Sequence, residues 1–210
     1  TQLYGPPGAG KTNLALNAAV ATVAEGGRAL YIDTEGLSFD RFEQLARTFS
    51  PEGTVEPLAS RFVVSAVHDF DEQEVAVREA IDVADESDLI VLDSATGFYR
   101  LERVDEPEEA AGDALRRLAD QIAHLLGLAR RFDLAVVITN QVFTDPEEDA
   151  LRPLGGHTLQ HWSGTILRMD RFRAGNRRVV LEKHRSRSVG SSTRVQITDR
   201  GITDGETTQP

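Results

Sequence analysis

Strand and helix signals alternate along most of the 210 residues. A glycine-rich turn separates the first strand from the first helix, and two later strands are almost continuously apolar. Together these observations predict an α/β fold with a mostly parallel central sheet flanked by helices.

The elements follow in order. Leu3-Tyr4 ends a first strand, and Lys11 to about Glu25 reads as a helix whose inner face carries Leu14, Ala18 and Ala19. Gly26-Gly27 stops that helix before the strand Ala29-Leu30-Tyr31-Ile32-Asp33. Ser38 is placed to cap a helix reaching about Phe49, with Phe42 and Leu45 inward. Phe62 to Val67 reads as a strand, Asp71 to Ala84 as a helix, and Leu89 to Asp93 as a buried parallel strand. Ala95 to Asp113 changes character: five acidic residues fall between Asp105 and Asp113, beside Arg100 and Arg103, which reads as a solvated loop. Leu115 to Arg130 is a helix and Leu134 to Thr139 a second buried strand. Asp145-Pro146-Glu147-Glu148-Asp149 and Leu154-Gly155-Gly156 predict a mobile loop with a glycine pivot. Thr165 to Met169, Arg178 to Glu182 and Thr193 to Ile197 read as short strands closing one side of the sheet. The expected organisation is one core over 1–202 and a frayed tail over 203–210, with further sequence upstream, because Thr1-Gln2-Leu3-Tyr4 reads as an interior strand.

Composition narrows the function classes. With 40% hydrophobic and 27% charged residues the chain is globular, not a solvating disordered segment. It has no cysteine, which excludes disulfides and thiolate metal sites. No secretory signal and no apolar run near the roughly 20 residues of a membrane span is visible, so a cytoplasmic location is expected. The net charge of −11 comes with only two lysines, Lys11 and Lys183, the other basic residues being arginine. Such a surface suits a halophile's cytoplasm, where salt screens the repulsion among carboxylates.

The strongest motif is Gly5-Pro6-Pro7-Gly8-Ala9-Gly10-Lys11-Thr12, which matches G-x-x-x-x-G-K-T between a strand and a helix. Glycines let the backbone wrap phosphate oxygens, and the helix N-terminus supplies free N–H groups and a favourable dipole. This is a P-loop, in which Lys11 reaches the β and γ phosphates of ATP and the Thr12 hydroxyl ligates Mg²⁺. Asp93, at the end of a strand on the same edge, can hold that magnesium through water. Glu35, in Asp33-Thr34-Glu35-Gly36, is placed to orient and deprotonate an attacking water, or is simply a turn carboxylate. Gln141 ends the last buried strand and can touch the γ phosphate or the water, reporting nucleotide state to the adjacent loop.

The order of these parts, Gly5 to Asn13, then Tyr31-Ile32-Asp33-Thr34-Glu35-Gly36, then Leu92-Asp93-Ser94, then Val137-Ile138-Thr139-Asn140-Gln141-Val142, resembles the RecA/RadA recombinase superfamily over nearly the whole chain. Leu154-Gly155-Gly156 and Leu181-Glu182-Lys183-His184-Arg185-Ser186 are most similar to an archaeal accessory branch of it, from a haloarchaeon. The resemblance implies a RecA-like P-loop NTPase core, a Walker B role for Asp93, a water-activating position for Glu35 and a nucleotide-sensor position for Gln141. It also implies an accessory factor of homologous recombination and DNA repair that binds ATP and DNA, assists RadA and hydrolyses ATP weakly. The resemblance also implies that the loops after Ser94 and Gln141 lie where strand-exchange proteins hold DNA, but here the loop after Gln141 carries Asp145, Glu147, Glu148 and Asp149, the loop after Ser94 is similarly acidic, and the terminal strands show no Asp-x-Pro cap.

Basic charge is concentrated elsewhere. Arg168, Arg171, Arg173, Arg177, Arg178, Lys183, Arg185 and Arg187 face only Asp170 and Glu182 over that stretch, which suggests one basic strip for DNA phosphates, or a solvated hairpin. His184 lies within the strip, where a lone histidine is more often structural. Two other readings of the chain stay open: a KaiC-like regulatory ATPase, and a structural adaptor that keeps ATP as a stabilising ligand.

Overall fold

The computed structural model describes residues 1–50, 53–105, 112–145, 150–172 and 176–205. In chain order, β1 (Gln2–Tyr4) leads to α1 (Lys11–Ala24), β2 (Ala29–Asp33), α2 (Phe39–Phe49), α3 (Glu56–Ala59) and β3 (Phe62–Ala66). Next come α4 (Phe70–Glu79), a 3₁₀ segment (Ala80–Glu86), β4 (Leu89–Asp93), α5 (Gly97–Asp105), α6 (Asp113–Phe132) and β5 (Ala135–Asn140). A ribbon of β6 (Val142–Asp145) and β7 (Ala150–Pro153) precedes α7 (Gly156–Trp162), and β8 (Ile166–Arg171), β9 (Asn176–Lys183), β10 (Ser192–Thr198) and β11 (Gly201–Asp204) finish the described chain.

Nine strands form one sheet in the order β11-β10-β9-β8-β1-β5-β4-β2-β3. The six strands from β8 to β3 run parallel, and β9, β10 and β11 add antiparallel at one side. Parallel strands need crossovers, and α1, α4 and α6 cover the faces, so β2 and β4 are buried at every residue. Alternation still sorts their side chains. Ala29, Tyr31, Leu89 and Val91 pack with Ala15, Leu16, Ala19 and Val20 of α1 and Phe42 and Leu45 of α2. Leu30, Ile32, Ile90 and Leu92 face Phe70 and Val77 of α4 and Leu118, Ile122 and Leu125 of α6.

Local signals account for most boundaries. The Ser38 side chain accepts from Arg41 N at 3.2 Å and caps α2, and Asp69 caps α4 by accepting from Glu72 N at 2.8 Å. Four differences from the sequence expectation have physical reasons. On α1 only Ala19 of the expected trio is buried; Leu14 and Ala18 sit at the margin, and Leu16, Val20 and Val23 point inward. This helix is apolar on most sides, so small residues give no reliable direction. The expected helix over 71–84 tightens into the 3₁₀ segment after Glu79. The segment read as a loop from Ala95 instead enters α5, with Ala95, Thr96 and Tyr99 buried beneath its charged side chains. Finally, β11 pairs Thr203 with Gln196 and Asp204 with Val195, so the sheet runs into the segment read as a tail. Residues 146–149 of the expected mobile loop lie outside the described residues; on either side the chain pairs as β6 and β7.

Leu16 is 1% exposed within the α1 layer, whereas Leu14 is only partly buried. Leu16→Ala is expected to destabilise the fold by about 2–5 kcal/mol through lost burial and a residual cavity. Leu14→Ala should cost about 1 kcal/mol or less. Urea unfolding of both variants checks the assignment; equal losses would place the inward face of α1 differently.

Candidate functional site

β1 lies between β5 and β8, so its C-terminal end delivers Gly5 to the edge where β2, β4 and β5 also end. Gly5 leaves the strand with φ 156°, and a Cβ there would be driven into the Met169 carbonyl of β8. Gly10 has φ 98° and stands at the N-cap of α1, where a Cβ would collide with Ile197. Glycine is therefore required at both ends of the loop. The first turn of α1 carries no acidic residue, which leaves its N-terminal N–H groups and dipole available to an anion. The Lys11 Nζ donates to the Gly5 carbonyl at 2.9 Å and lies 3.3 Å from that of Pro6, so it stays over the loop. Burial pushes the Lys11 ammonium below its usual range, and Glu35 and Asp93 oppose that shift.

Asp93 is 2% exposed at the end of β4. Its Oδ2 accepts from the Tyr31 hydroxyl of β2 at 2.5 Å, and its Oδ1 accepts from Thr139 of β5 and, at 3.3 Å, from Thr12 of α1. Burial pushes this carboxyl up, while the Thr139, Tyr31 and Thr12 hydroxyls pull it back towards the charged form. The Tyr31 hydroxyl is itself raised, first by burial and then by Asp93. Among the described residues no group of three or more His, Asp or Glu side chains could cage a metal. One carboxylate and one hydroxyl are what magnesium uses when phosphates and water complete its shell, so Thr12 and Asp93 fit that ion.

Glu35 Oε1 accepts from Ser94 Oγ at 2.7 Å and from Gln141 Nε2 at 2.9 Å. The Glu35 turn is pinned by the Asp33 carboxylate, which receives the N–H groups of Glu35, Gly36 and Leu37 at 3.2, 3.0 and 2.5 Å. Thr34 and Ser94 exchange hydrogen bonds, with Thr34 Oγ1 donating to the Ser94 carbonyl at 3.1 Å and accepting from Ser94 N at 2.8 Å. Sequence reading placed Glu35, Asp93 and Gln141 on one edge, and the structure joins Glu35 to Gln141 and Asp93 to Thr12. It missed Tyr31, Asp33, Ser94 and Thr139. Asp33 had a legible signal, since an aspartate before a turn commonly accepts from N–H groups two or more residues on; Tyr31 had none.

A cleft of about 470 Å³ opens over the P-loop and is bordered by Lys11, Glu35, Gln141, Arg100 and Arg177. The two arginines widen the site beyond what motif spacing suggested. Gln141 also connects outward: its N–H donates to Thr96 Oγ1 at 3.0 Å, and its carbonyl accepts from Leu154 N at 2.9 Å. Asn140 Nδ2 donates to the Leu154 carbonyl at 2.9 Å. The cleft is thus tied to the chain entering Gly155-Gly156.

The expected single basic strip is not what the register produces. In the antiparallel ladder Arg171 pairs with Arg177 and Asp170 with Arg178, which puts Arg171 and Arg177 on one face and Arg168 and Arg178 on the other. Arg178 binds Asp170 at 2.7 Å, and Arg168 lies 3.1 Å from Glu182. Lys183 donates to the Gln160 carbonyl at 2.6 Å. Arg185 and Arg187 are exposed in the turn after β9, and Arg173 lies outside the described residues. His184 Nδ1 accepts from Ser186 N at 3.1 Å, a local structural role. Between the loops after Ser94 and Gln141, a second cleft of about 400 Å³ is lined by Tyr99, Arg103, Phe143 and His157. The acidic reading of those loops overlooked this aromatic and basic lining. No helix among the described residues is long and apolar enough to cross a membrane.

Known proteins with this arrangement point one way. The Rad51 family matches residues 1–205. A Halobacterium salinarum protein described as DNA repair and recombination protein RadB is 60% identical over 206 residues, covering 96% of this chain and 85% of its own length. A Methanococcoides burtonii protein of the same description is 41% identical over 203 residues, covering 96% of this chain and 87% of its own. A solved structure described as the crystal structure of the RadB recombinase superposes with a TM-score of 0.80 at 36% identity, covering 98% of this chain and 90% of that one.

Proposed function

The chain belongs to the Rad51 family, among the RadB proteins of DNA repair and recombination, and on that premise we propose that it binds MgATP at Gly5–Thr12 and couples the nucleotide to DNA while assisting RadA. The observation that carries this reading is the convergence of Lys11, Thr12, Asp93, Glu35 and Gln141 around one cleft at the C-terminal edge of the sheet. Gly5, Pro6, Pro7, Gly8, Ala9 and Gly10 wrap the phosphate chain, the glycines offering backbone N–H groups and the prolines, which have none, shaping the turn, and Lys11 neutralises the β and γ phosphates. Thr12 and Asp93 hold Mg²⁺, which when bound screens the charge on those oxygens.

Glu35 is the base that orients and deprotonates water, and Gln141 is the sensor of the terminal phosphate. Their mutual hydrogen bond gives a reason for weak hydrolysis: the carboxylate oxygen that must face water already accepts from Ser94 and Gln141. Movement of Gln141 towards phosphate would free Glu35 and also shift Leu154, which is bonded to the Gln141 carbonyl. A nucleotide signal would thereby reach α7 and the loop beside it.

DNA is held outside this cleft. The carboxylates beside Arg168 and Arg178 neutralise much of their charge, which leaves exposed Arg185 and Arg187 as the stronger phosphate contacts of the terminal region. Exposed Phe143 and His157 supply stacking surfaces for unpaired bases and Arg103 a cation, with buried Tyr99 behind them. A KaiC-like regulatory ATPase or an adaptor with ATP as a folding ligand shares the phosphate site, but neither accounts for this second lining.

Lys11→Ala is expected to lower ATP affinity at least tenfold, because it removes the charge paired with the terminal phosphates. Glu35→Gln should retain binding and suppress phosphate release. Nucleotide titration and a phosphate-release assay on folded variants check both; wild-type affinity in the first or wild-type turnover in the second removes that residue from its role. Replacing Arg185 and Arg187 together by glutamine should flatten the slope of log affinity for DNA against log salt by about 1.5, as two fewer phosphates are neutralised. Fluorescence anisotropy across a salt series, repeated with RadA present, measures it, and an unchanged slope would move DNA elsewhere.

A further inference from the structure

The two arginines of the terminal hairpin that face the P-loop have an arrangement that DNA contact does not explain. Alternation along β8 puts Arg171 on the same face as Met169, and alternation along β10 puts Val195, the partner of Arg177, on the same face as Ile197. Met169 and Ile197 are the side chains that crowd Gly10 of the P-loop. On this face Arg171 Nη1 lies 2.9 Å from where a Cβ on Gly8 would stand, and Arg177 borders the cleft that holds Lys11 and Thr12. Arg168 and Arg178, on the opposite face, have carboxylate partners in Asp170 and Glu182. Among the described residues Arg171 and Arg177 have none within ion-pair distance.

Arg177 donates to the Asn176 carbonyl at 2.9 Å, while its Nε is shielded from solvent without a partner. Burial, and then the neighbouring Arg171, hold its guanidinium below the usual arginine range. Two like charges drawn together at a partly desolvated phosphate-binding loop cost free energy unless an anion joins them. Lys11 adds a third cation to the same cleft.

We propose that Arg171 and Arg177 are nucleotide-phosphate ligands, a cationic clamp that this chain supplies to its own P-loop, and not part of the DNA surface. The inference rests on the P-loop reading of Gly5–Thr12 and adds to it. The ligand class is a nucleoside triphosphate: planar guanidiniums match phosphate oxygens bidentately, and two of them beside Lys11 favour three phosphates over two. Gly8, at φ 69°, leaves room for the tip of Arg171, which a side chain there would push aside.

The test compares wild type, Arg177→Gln, Arg171→Gln with Arg177→Gln, and Lys11→Ala, each titrated by calorimetry with the ATP analogue AMP-PNP and with ADP in magnesium. The double variant is expected to lose about tenfold or more in AMP-PNP affinity, with a smaller loss for ADP, while nucleotide-free DNA affinity and its salt slope stay at wild type. Wild-type AMP-PNP affinity overturns the proposal, whether or not DNA binding falls, as does an equal loss for both nucleotides with a lowered melting temperature. Lys11→Ala separates the two levels. If it loses nucleotide and the arginine variant does not, only the clamp fails; if it binds as wild type, the P-loop reading fails and the clamp with it. Should the double variant not fold, Arg177→Gln alone carries the same comparison, with Arg177→Lys expected to recover part of the AMP-PNP affinity.

Discussion

One buried carboxylate holds the working edge of this molecule together. Asp93 ends β4 and receives hydroxyls from Tyr31 on β2, Thr139 on β5 and Thr12 on α1, so four elements meet at two oxygen atoms. A charge at 2% exposure is costly unless it is hydrogen-bonded. These three donors meet that need and also fix the relative heights of the strands that carry them. The edge is consequently rigid where the P-loop begins, and the Thr12 hydroxyl is held beside a carboxylate on the helix that Lys11 starts.

From that point a polar frame spreads along the sheet. Thr34 and Ser94 lock the turns after β2 and β4 to each other, and Ser94 also holds Glu35. Thr96 Oγ1 donates to Asn140 Oδ1 at 2.8 Å and accepts from Gln141 N, and Asn140 and Gln141 together hold both backbone groups of Leu154. Apart from Leu154, which follows the antiparallel β7, these residues sit at the C-terminal end of a parallel strand or just past it, where an open α/β sheet exposes backbone and side-chain groups to a ligand. The nucleotide cleft and the chain entering α7 are thus parts of one hydrogen-bonded frame. Its buried members, Thr96 and Asn140, make the frame sensitive to the loss of any one bond. Charge on the surface contributes less, since pairs such as Arg47 with Glu43 are well exposed.

The parallel core was legible because Leu89 to Asp93 and Leu134 to Thr139 are too apolar to be anything but doubly covered strands, and because the P-loop spacing places a strand before it and a helix after it. The strand-end position of Asp93 was legible for the same reason, whereas Glu35 and Gln141, just past strand ends, drew their expected roles chiefly from the resemblance. Register was not legible. Whether Arg171 and Arg178 share a face depends on how β8 and β9 pair, and that pairing carries a shift between Ile166 and Leu167. Buried polar partners such as Tyr31 and Thr139 were hidden as well, since inside an apolar strand they read as ordinary members of the run. Helix α5 was obscured by its own charge, because Glu102, Arg103 and Asp105 suggest solvent while Tyr99 packs inward.

We propose that Asp93 remains a buried carboxylate for the sake of a cation at the phosphates, beyond its part in aligning the strands. Asp93→Asn keeps size and an acceptor while removing the charge, and a buried charge is seldom needed for stability. The direct measurement is ATP affinity of this variant, shown folded by its melting curve, with magnesium and with a chelator. The wild type is expected to bind ATP more tightly in magnesium, and the variant to gain nothing from the metal. A variant whose affinity still rises with magnesium as much as the wild type's would contradict it.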